Sequence, residues 1–552
     1  MKTKYFLSAA LFALLAGSCT DLDVDVKSYY TEYPNSEAAI EAKKAAALYA
    51  FRGALGRRFD EGNSMNSDEY TGVSFDGDYY NSGDCANFSL HKIDYYNCKS
   101  MLNVYNDLLS GIVQANTIIE AYGNDSEDAA PLRAVRAFYH FILMDQWGDT
   151  PILDHVVKGE IIDRQPRADV AKWIERELLA IRDKMTTVVD ETTYGTPTRY
   201  MVDALLAKLY INWPVYTKDV TNSAWAYGTN EKLDNCIAAC DDVITSGIFA
   251  LAGGDVNPNP SSAWSGKNDF KMKFFYNNGP QVKDFIYAMP FDAVTAQGMT
   301  YARFRTWRRG QNNNGLYSVE MTKSVGGNFA LTPEFAALFN LPGDRRNDCI
   351  IGDGNAETTD VYQYDAATGE KTSVRNNYKG EDVTFTRSIT LKTGAESAEL
   401  NTGADMKGWC QGYRSIKFFP NISEYNTYGR NQSNDIPVFR YADILLMKAE
   451  AIVRGGSATK GDTPMGLFNQ IRSYAGAPTI AAAPTLQDIL DERGREFLDE
   501  HWRRNDLIRF GDFERNWGFK AQYGSNDPRM RLWPLSYDVL EDNNNWEQNP
   551  GY

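Results

Sequence analysis

Two irregular stretches of the chain bring aromatic rings together with carboxylate, amide and guanidinium groups. The first spans residues 68–81, and the second is "MTYARFRTWRRGQNNNG", residues 299–315. Aromatic rings pack against the C–H faces of pyranose sugars, while carboxylate, amide and guanidinium groups hydrogen-bond the hydroxyls. The two stretches therefore predict loops that bind a sugar or a peptide. The residues expected to contact it are Asp68, Asp76, Asp78, Tyr79, Tyr80, Asn81, Tyr301, Arg303, Trp307, Arg308, Asn312 and Asn313.

For any one of these residues, packing inside the protein is as strong an expectation as ligand contact. Tyr79 or Trp307, for example, fits the packing of two lobes against each other. The three cations Arg303, Arg305 and Arg308 fit the carboxylates or sulfates of an acidic glycan, but pairing with the protein's own acidic excess is favoured. The hypothesis therefore rests on the clusters and not on their single members.

No spacing in the sequence marks a catalytic group. The four histidines occur in no His-Glu-x-x-His motif, and no Gly-x-Ser-x-Gly motif is present. A glycoside hydrolase needs two carboxyl groups about 5–10 Å apart, and 73 Asp and Glu residues leave such a pair open. We expect a binding protein that is not an enzyme, with an exported glycoside hydrolase as the alternative.

Neither a metal nor a nucleic acid is an expected partner. Residues 76–84, "DGDYYNSGD", depart from the spacing of an EF-hand calcium loop after Asp78. The cysteines show no zinc spacing; buried thiols are favoured, and a disulfide between Cys85 and Cys98 stays open. A net charge of −16 opposes binding to phosphate backbones.

The N-terminus predicts export and lipidation. Lys2 and Lys4 precede an apolar run, residues 5–16, that is too short to cross a bilayer. Small residues then lead to Cys19, as in bacterial lipoproteins, although Ala16 stands where leucine is usual. We expect a signal peptide over residues 1–18, an acylated Cys19 and a tether over 19–36, which leaves the lipid as the sole membrane attachment. An ordinary signal peptide followed by a chance cysteine is the alternative.

Helical periodicity predicts the scaffold that positions the loops. Helices are expected over about 35–55, 100–122, 128–147, 167–185, 198–213, 230–246, 437–454, 463–475 and 485–497. Asp128 is the expected cap of the third, Thr485 and Asp488 form a capping box, and Asn116 should fix a neighbouring turn from a buried face. Residues 284–291 predict a strand within an otherwise irregular region. The helices follow one another in pairs, which is typical of stacked helical hairpins.

Five motifs in order resemble the SusD/RagB family of outer-membrane lipoproteins. They are "VQANTIIEAY" (113–122), "LRAVRAFYHFILMDQWGDTPIL" (132–153), "IPVFRYADILLMKAEAIVRGG" (436–456), "DERGREFLDEHWRRNDLIRFGDF" (491–513) and "WEQNPGY" (546–552). The resemblance covers nearly the whole chain. These motifs are expected to be scaffold, with Arg136, Tyr139, Arg440, Tyr441, Glu492, Glu496, Arg503 and Asp506 forming buried or half-buried ion pairs and hydrogen bonds between helices.

The resemblance implies a mainly α fold with about four TPR-like helical hairpins and a large irregular lobe of loops and short strands. It divides residues 19–552, one continuous fold, into an N-terminal helical part (37–250), a middle region (251–435) and a C-terminal helical part (436–552). It implies a surface lipoprotein of Bacteroidetes that faces the cell exterior and captures oligosaccharides. The captured ligand would pass to a SusC-like TonB-dependent transporter, on which the protein sits as a lid. A peptide ligand, or a periplasmic adaptor that binds peptides or proteins, is the alternative.

Overall fold

The computed structural model describes residues 37–77, 83–251, 269–300, 322–323, 327–374, 377–378, 381–393 and 399–552. Contacts divide the chain into two units, Met1–Ala45 and Ala46–Tyr552. The described part of the first unit is the start of helix α1 (Glu37–Leu48). The predicted signal peptide, Cys19 and the predicted tether lie outside the described residues. None of the described helices combines the length and the apolarity needed to cross a membrane.

Helices dominate both ends of the second unit. The N-terminal set is α2 (Phe59–Met65), α3 (Asp84–Ser89), α4 (Lys99–Leu102), α5 (Val104–Tyr122), α6 (Ala130–Trp147), α7 (Arg167–Ile181), α8 (Arg199–Ile211), α9 (Trp213–Thr217) and α10 (Leu233–Thr245). The middle region contains α11 (Asp269–Met272), α12 (Pro333–Ala336), α13 (Met406–Trp409) and α14 (Ile422–Thr427). The C-terminal set is α15 (Tyr441–Val453), α16 (Pro464–Ala475), α17 (Leu486–Phe497), α18 (Arg503–Phe510), α19 (Lys520–Tyr523) and α20 (Tyr537–Asp542).

The longer helices pack as hairpins. Helix α5 packs on α6, α8 on α10, α15 on α16 and α17 on α18. Further contacts join α6 to α7 and α10 to α15, so neighbouring hairpins stack on one another. Their apolar faces contribute to a large hydrophobic core. The predicted arrangement of paired helices, mainly α and TPR-like, is confirmed.

Helix α6 shows how local sequence sets the helix ends. Its first turn contains Pro131, whose missing N–H costs nothing there. It ends at Gly148, which has φ 78°, a backbone conformation that other residues rarely adopt. The prediction that Asp128 caps this helix is wrong: Ala129 holds the cap position, with no side-chain bond, and the N–H of Asp128 donates to Ser126 Oγ in the preceding turn.

The short strands form antiparallel pairs. Among the described residues these are β1 (Tyr70–Gly72) with β3 (Phe329–Leu331), β2 (Phe285–Met289) with β12 (Ile436–Arg440), β4 (Ile350–Ile351) with β11 (Arg414–Ser415), β5 (Thr358–Asp360) with β10 (Thr384–Thr386), β6 (Tyr362–Tyr364) with β7 (Lys371–Val374), and β8 (Asn377–Tyr378) with β9 (Glu381–Asp382). Strand β2 confirms the strand predicted over 284–291. The described part of the irregular middle region therefore consists of two-stranded ribbons, short helices and loops.

Strand β12 corrects one predicted boundary. The helix expected from Pro437 begins at Tyr441, because the preceding five residues form strand β12 and pair with β2, Ile436 opposite Met289 and Arg440 opposite Phe285, with an irregular register at Val438. All five are buried. The periodicity of the sequence predicted one helix over both elements, because Val438 falls in phase with the apolar stripe of α15.

Buried charges join the C-terminal helices, as predicted for the scaffold motifs. Arg440 donates to Asp284, Glu496 and Glu500 over 2.6–2.9 Å. Other motif residues also have partners: Arg136 with Glu177, Tyr139 with the backbone of Ala47 and Leu48, Glu492 and Glu496 with Arg346, Arg503 with Asp68, and Asp506 with Arg493 and Arg509. Tyr441 is half-buried, and its backbone N–H donates to the carbonyl of Asp284. Breaking a buried pair by removing one partner costs about 3–5 kcal/mol.

Two smaller predictions concern single residue types. Asn116 on α5 donates through Nδ2 to the carbonyls of Leu153 and His155 and accepts from Arg136, so it fixes the turn after α6 as predicted. Cys85 and Cys98 are buried free thiols, so the disulfide that the sequence left open is not formed.

Candidate functional site

The first predicted loop starts from a buried anchor. Asp68 precedes β1, is 2% exposed and accepts from Arg503 Nε at 2.7 Å and Nη2 at 2.8 Å. Arg515 adds a third bond at 3.0 Å. The structure corrects the prediction that Asp68 contacts a ligand, because the carboxylate is buried and its oxygens face arginines of the protein. Asp68 instead fixes the start of the loop to α18.

Asp76 lies at the surface, eight residues further along the same loop. Its φ of 43° places the backbone in the left-handed region, which aspartate tolerates better than most residues. The carboxylate accepts from Lys392 Nζ at 2.7 Å, Asn401 Nδ2 at 3.1 Å and the N–H of Ala404 at 3.2 Å. The N–H of Asp76 donates in return to Asn401 Oδ1 at 3.1 Å. Three separate stretches of chain therefore meet at this exposed carboxylate.

Hydrogen bonds keep Asp76 ionised. The bond from the Lys392 ammonium, followed by the bond from Asn401, lowers the pKa of Asp76 below its ordinary value. At neutral pH the group is thus a charged acceptor at the surface. A carboxylate accepts with each of its oxygens and can bind two neighbouring hydroxyls at once.

A stack of two aromatic rings supports the loop. Phe75 and Trp409 lie 3.6 Å apart between ring centroids, with 17° between the ring planes. Trp409 donates from Nε1 to the carbonyl of Ala404 at 2.8 Å, and the Asp405 side chain caps α13 at Gly408. Both rings are nearly buried. They therefore hold the loop in place and are not available as a ligand platform.

The other predicted contact residues lie outside the described residues. These are Asp78, Tyr79, Tyr80, Asn81, Tyr301, Arg303, Trp307, Arg308, Asn312 and Asn313. The described neighbours show where the second stretch is attached. The carbonyl of Met299 accepts from the N–H of Gln432 at 3.0 Å, and the N–H of Thr322 donates to Asn426 Oδ1 at 2.8 Å. Both attachments involve the segment around α14.

A cleft in the middle region was missed by the sequence reasoning. It has a volume of about 420 Å³, and its lining includes Asn340, Asn347, Asp353, Asn355, Tyr362 and Lys371; we call it the polar cleft. The density of Asn, Asp and Gly in "FNLPGDRRNDCIIGDGN", residues 339–355, is the signal that could have found it. Among the described residues, no group of three His, Cys, Asp or Glu side chains is placed to hold a metal ion.

Two family models match this chain in consecutive parts. The model described as "Starch-binding associating with outer membrane" matches residues 25–211, and the model of the SusD family matches residues 283–552. The chain belongs to the SusD family. The matched parts include the loop that contains Asp76, the polar cleft and all C-terminal helices.

Curated and solved relatives of this SusD-like protein agree with the match. The starch-binding protein SusD of Bacteroides thetaiotaomicron is 24% identical over 469 residues, which cover 82% of this chain and 76% of SusD. The surface glycan-binding protein A of Bacteroides fluxus aligns with a TM-score of 0.64 at 18% identity, covering 94% of this chain and 100% of that one. A laminarin-binding SusD-like protein gives a TM-score of 0.64 at 19% identity, with coverage of 94% and 100%. At such identities these two structures establish the shared fold alone.

Proposed function

We propose that this SusD-like protein captures oligosaccharides at the outer surface of the outer membrane and delivers them to a SusC-like TonB-dependent transporter, acting as its lid. One observation carries the proposal: the match of the starch-binding, outer-membrane model over residues 25–211. That match includes the loop that presents Asp76. The relatives named as starch-, glycan- and laminarin-binding proteins support a glycan in preference to a peptide.

The geometry of the first loop supports a preorganised binding site. The loop is attached at one end through the Asp68–Arg503 pair and lies on the Phe75–Trp409 stack, so Asp76 is held before any ligand arrives. Preorganisation of this kind lowers the entropy cost of binding. Stacked helical hairpins provide a rigid frame for such loops. A ligand contacts, in this proposal, Asp76 together with the residues of 78–81 and 301–313 singled out above.

Binding is tested with the water-soluble protein that begins after Cys19. An array of neutral and acidic oligosaccharides, together with short peptides, gives the ligand class, and calorimetry gives the affinity. Tyr79→Ala and Trp307→Ala should each weaken binding at least tenfold, while Tyr537→Ala, an exposed tyrosine outside both loops, should leave it unchanged. Unaltered affinity in both loop variants would contradict the site assignment, and retention of peptides alone would replace the glycan by a peptide.

The absence of catalysis is tested on the same preparations. Prolonged incubation with each oligosaccharide that binds, followed by chromatography of the products, should return the starting chain lengths. The appearance of shorter products in proportion to protein concentration would favour the glycoside hydrolase instead.

The membrane attachment proposed for Cys19 is tested in cells. Cys19→Ala should release the protein from the outer membrane, and protease added to intact cells should digest the unaltered protein. Protection from that protease would place the protein on the periplasmic side, as for an adaptor. Extraction in mild detergent should recover a barrel transporter with the protein; isolation of the lipoprotein alone under several gentle conditions would argue against the lid.

A further inference from the structure

The polar cleft is a cavity of ligand size in the middle region of the chain. Its volume of about 420 Å³ falls in the range of about 300–1,000 Å³ typical of small-molecule sites. Asp68 and Asp76, the predicted contact residues that the structure describes, do not line it. Its walls come from the chain around residues 339–362 and from Lys371 on β7.

The cleft presents hydrogen-bonding groups in several orientations. Asn347 donates through Nδ2 to the carbonyl of Leu341 at 2.9 Å, while its Oδ1 is buried and accepts no bond from the described part of the chain. A buried acceptor without a partner is energetically unfavourable. Asn355 is held beside it, donating from its backbone to Asp353 Oδ1 at 3.0 Å and from Nδ2 to the carbonyl of Asn340 at 3.3 Å.

Two aromatic side chains contribute to the lining. Phe339 is buried, whereas Tyr362 is half-buried on β6, where β7 pairs with it. The Tyr362 ring among amides and carboxylates matches the surface of a pyranose, which has a C–H face and a rim of hydroxyls. A purely apolar ligand would leave the polar walls of the cleft unpaired.

The charges of the cleft indicate a neutral ligand. Among the described residues that line it, Lys371 is the one cation, and its Nζ lies 3.8 Å from Asp348 and 5.2 Å from the centre of the Tyr362 ring. The positive charge of Lys371 is therefore already balanced by Asp348. A sulfated, phosphorylated or carboxylated ligand would face Asp348 and Asp353 without an uncompensated positive charge to balance it.

We infer that the polar cleft is a second carbohydrate site, one that takes a neutral pyranose residue. The inference shares with the proposed function the assumption that the protein binds glycans, but it concerns different residues. A long glycan held at two places would dissociate more slowly than one held at a single site.

The test uses free sugars and the water-soluble protein. Saturation-transfer NMR is recorded with glucose, galactose, mannose and N-acetylglucosamine, each in excess. The unaltered protein should give transfer to at least one of them, reduced at least fivefold in Tyr362→Ala and in Asn355→Ala. Tyr428→Ala, the same change at an exposed tyrosine outside the cleft, should leave the transfer unchanged.

Two results would overturn the inference. One is the absence of transfer to all four sugars, and the other is transfer that neither cleft variant reduces. Thermal melting of each variant separates loss of the site from loss of the fold, and Asn355, being exposed, provides the variant least prone to unfolding. Because Trp307→Ala tests the loop site with oligosaccharides, failure of one site is distinguishable from failure of the other.

Discussion

Asp68 and Asp76 lie on one loop, and the structure predicts a different outcome for each when it is changed to asparagine. Asp68 is buried with both oxygens bound to arginines, whereas Asp76 lies at the surface. Sequence reasoning gave the two residues the same role. Asp68→Asn should therefore destabilise the protein, and Asp76→Asn should weaken glycan binding.

The magnitude for Asp68→Asn follows from burial. Arg503 is 3% exposed. In Asp68→Asn it would still donate to the carbonyl of Leu490, but its positive charge would lose the Asp68 carboxylate as counterion. Removing one member of a buried pair costs about 3–5 kcal/mol. Asparagine still offers one acceptor oxygen, so we expect the lower end, about 3 kcal/mol, or about two powers of ten in the folding equilibrium constant. Arg515 adds little because its side chain is 41% exposed.

Urea unfolding followed by tryptophan fluorescence measures this loss. A double-mutant cycle with Arg503→Met isolates the pair, since the double variant no longer has an uncompensated buried charge. The double variant should be more stable than the summed losses of the two single variants predict. A loss below about 1 kcal/mol in Asp68→Asn, or strict additivity in the cycle, would refute the assignment of Asp68 to the scaffold. Asp76→Asn serves as the matched control, with an unchanged urea midpoint and reduced glycan affinity.

Three further predictions concern the scaffold. Asn116→Ala removes a donor to the buried Leu153 carbonyl and to the part-buried His155 carbonyl, and it removes an acceptor from Arg136, so urea unfolding should show a loss of about 2–4 kcal/mol; an unchanged midpoint would contradict the role given to this amide. Burial raises the pKa of Asp435 to about 7 against about 3.9 in the unfolded chain, so the folded state holds the extra proton. Stability should fall by up to about 4 kcal/mol as pH rises from about 4 to 7, and that slope should be absent in Asp435→Asn when melting is recorded across this range. Thr485→Ala removes the capping box of α17 and should cost about 1 kcal/mol, whereas Ser457→Ala, a hydroxyl outside a helix cap, should cost less than half of that in the same assay.

Much of the helical scaffold could be predicted because its signals are local. Apolar periodicity located α5 and α15, the Thr485–Asp488 pair gave a correct cap, and the buried position of Asn116 implied its partners. The predictions failed where a distant segment of the chain determines the local structure. Strand β12 exists because β2 pairs with it, and no local pattern contains that partner.

The candidate site was harder to predict for the same reason. Asp68 and Asp76 look alike in sequence, and only the placement of Arg503, far along the chain, separates a buried carboxylate from an exposed one. The polar cleft combines residues around 339–362 with Lys371, which a β-ribbon brings together. Composition marked the region as rich in Asn and Asp but could not show which side chains share a cavity.

The bond between the loop and α18 also fixes an order of events in folding. Residues 68 and 503 are joined across most of the polypeptide, as are Tyr70 and Asp499. During synthesis the loop is made long before the helix that holds it, so it cannot take its final form until the C-terminal hairpins have emerged and docked. A fragment ending before residue 490 could form its local helices and would still present the loop without its anchor.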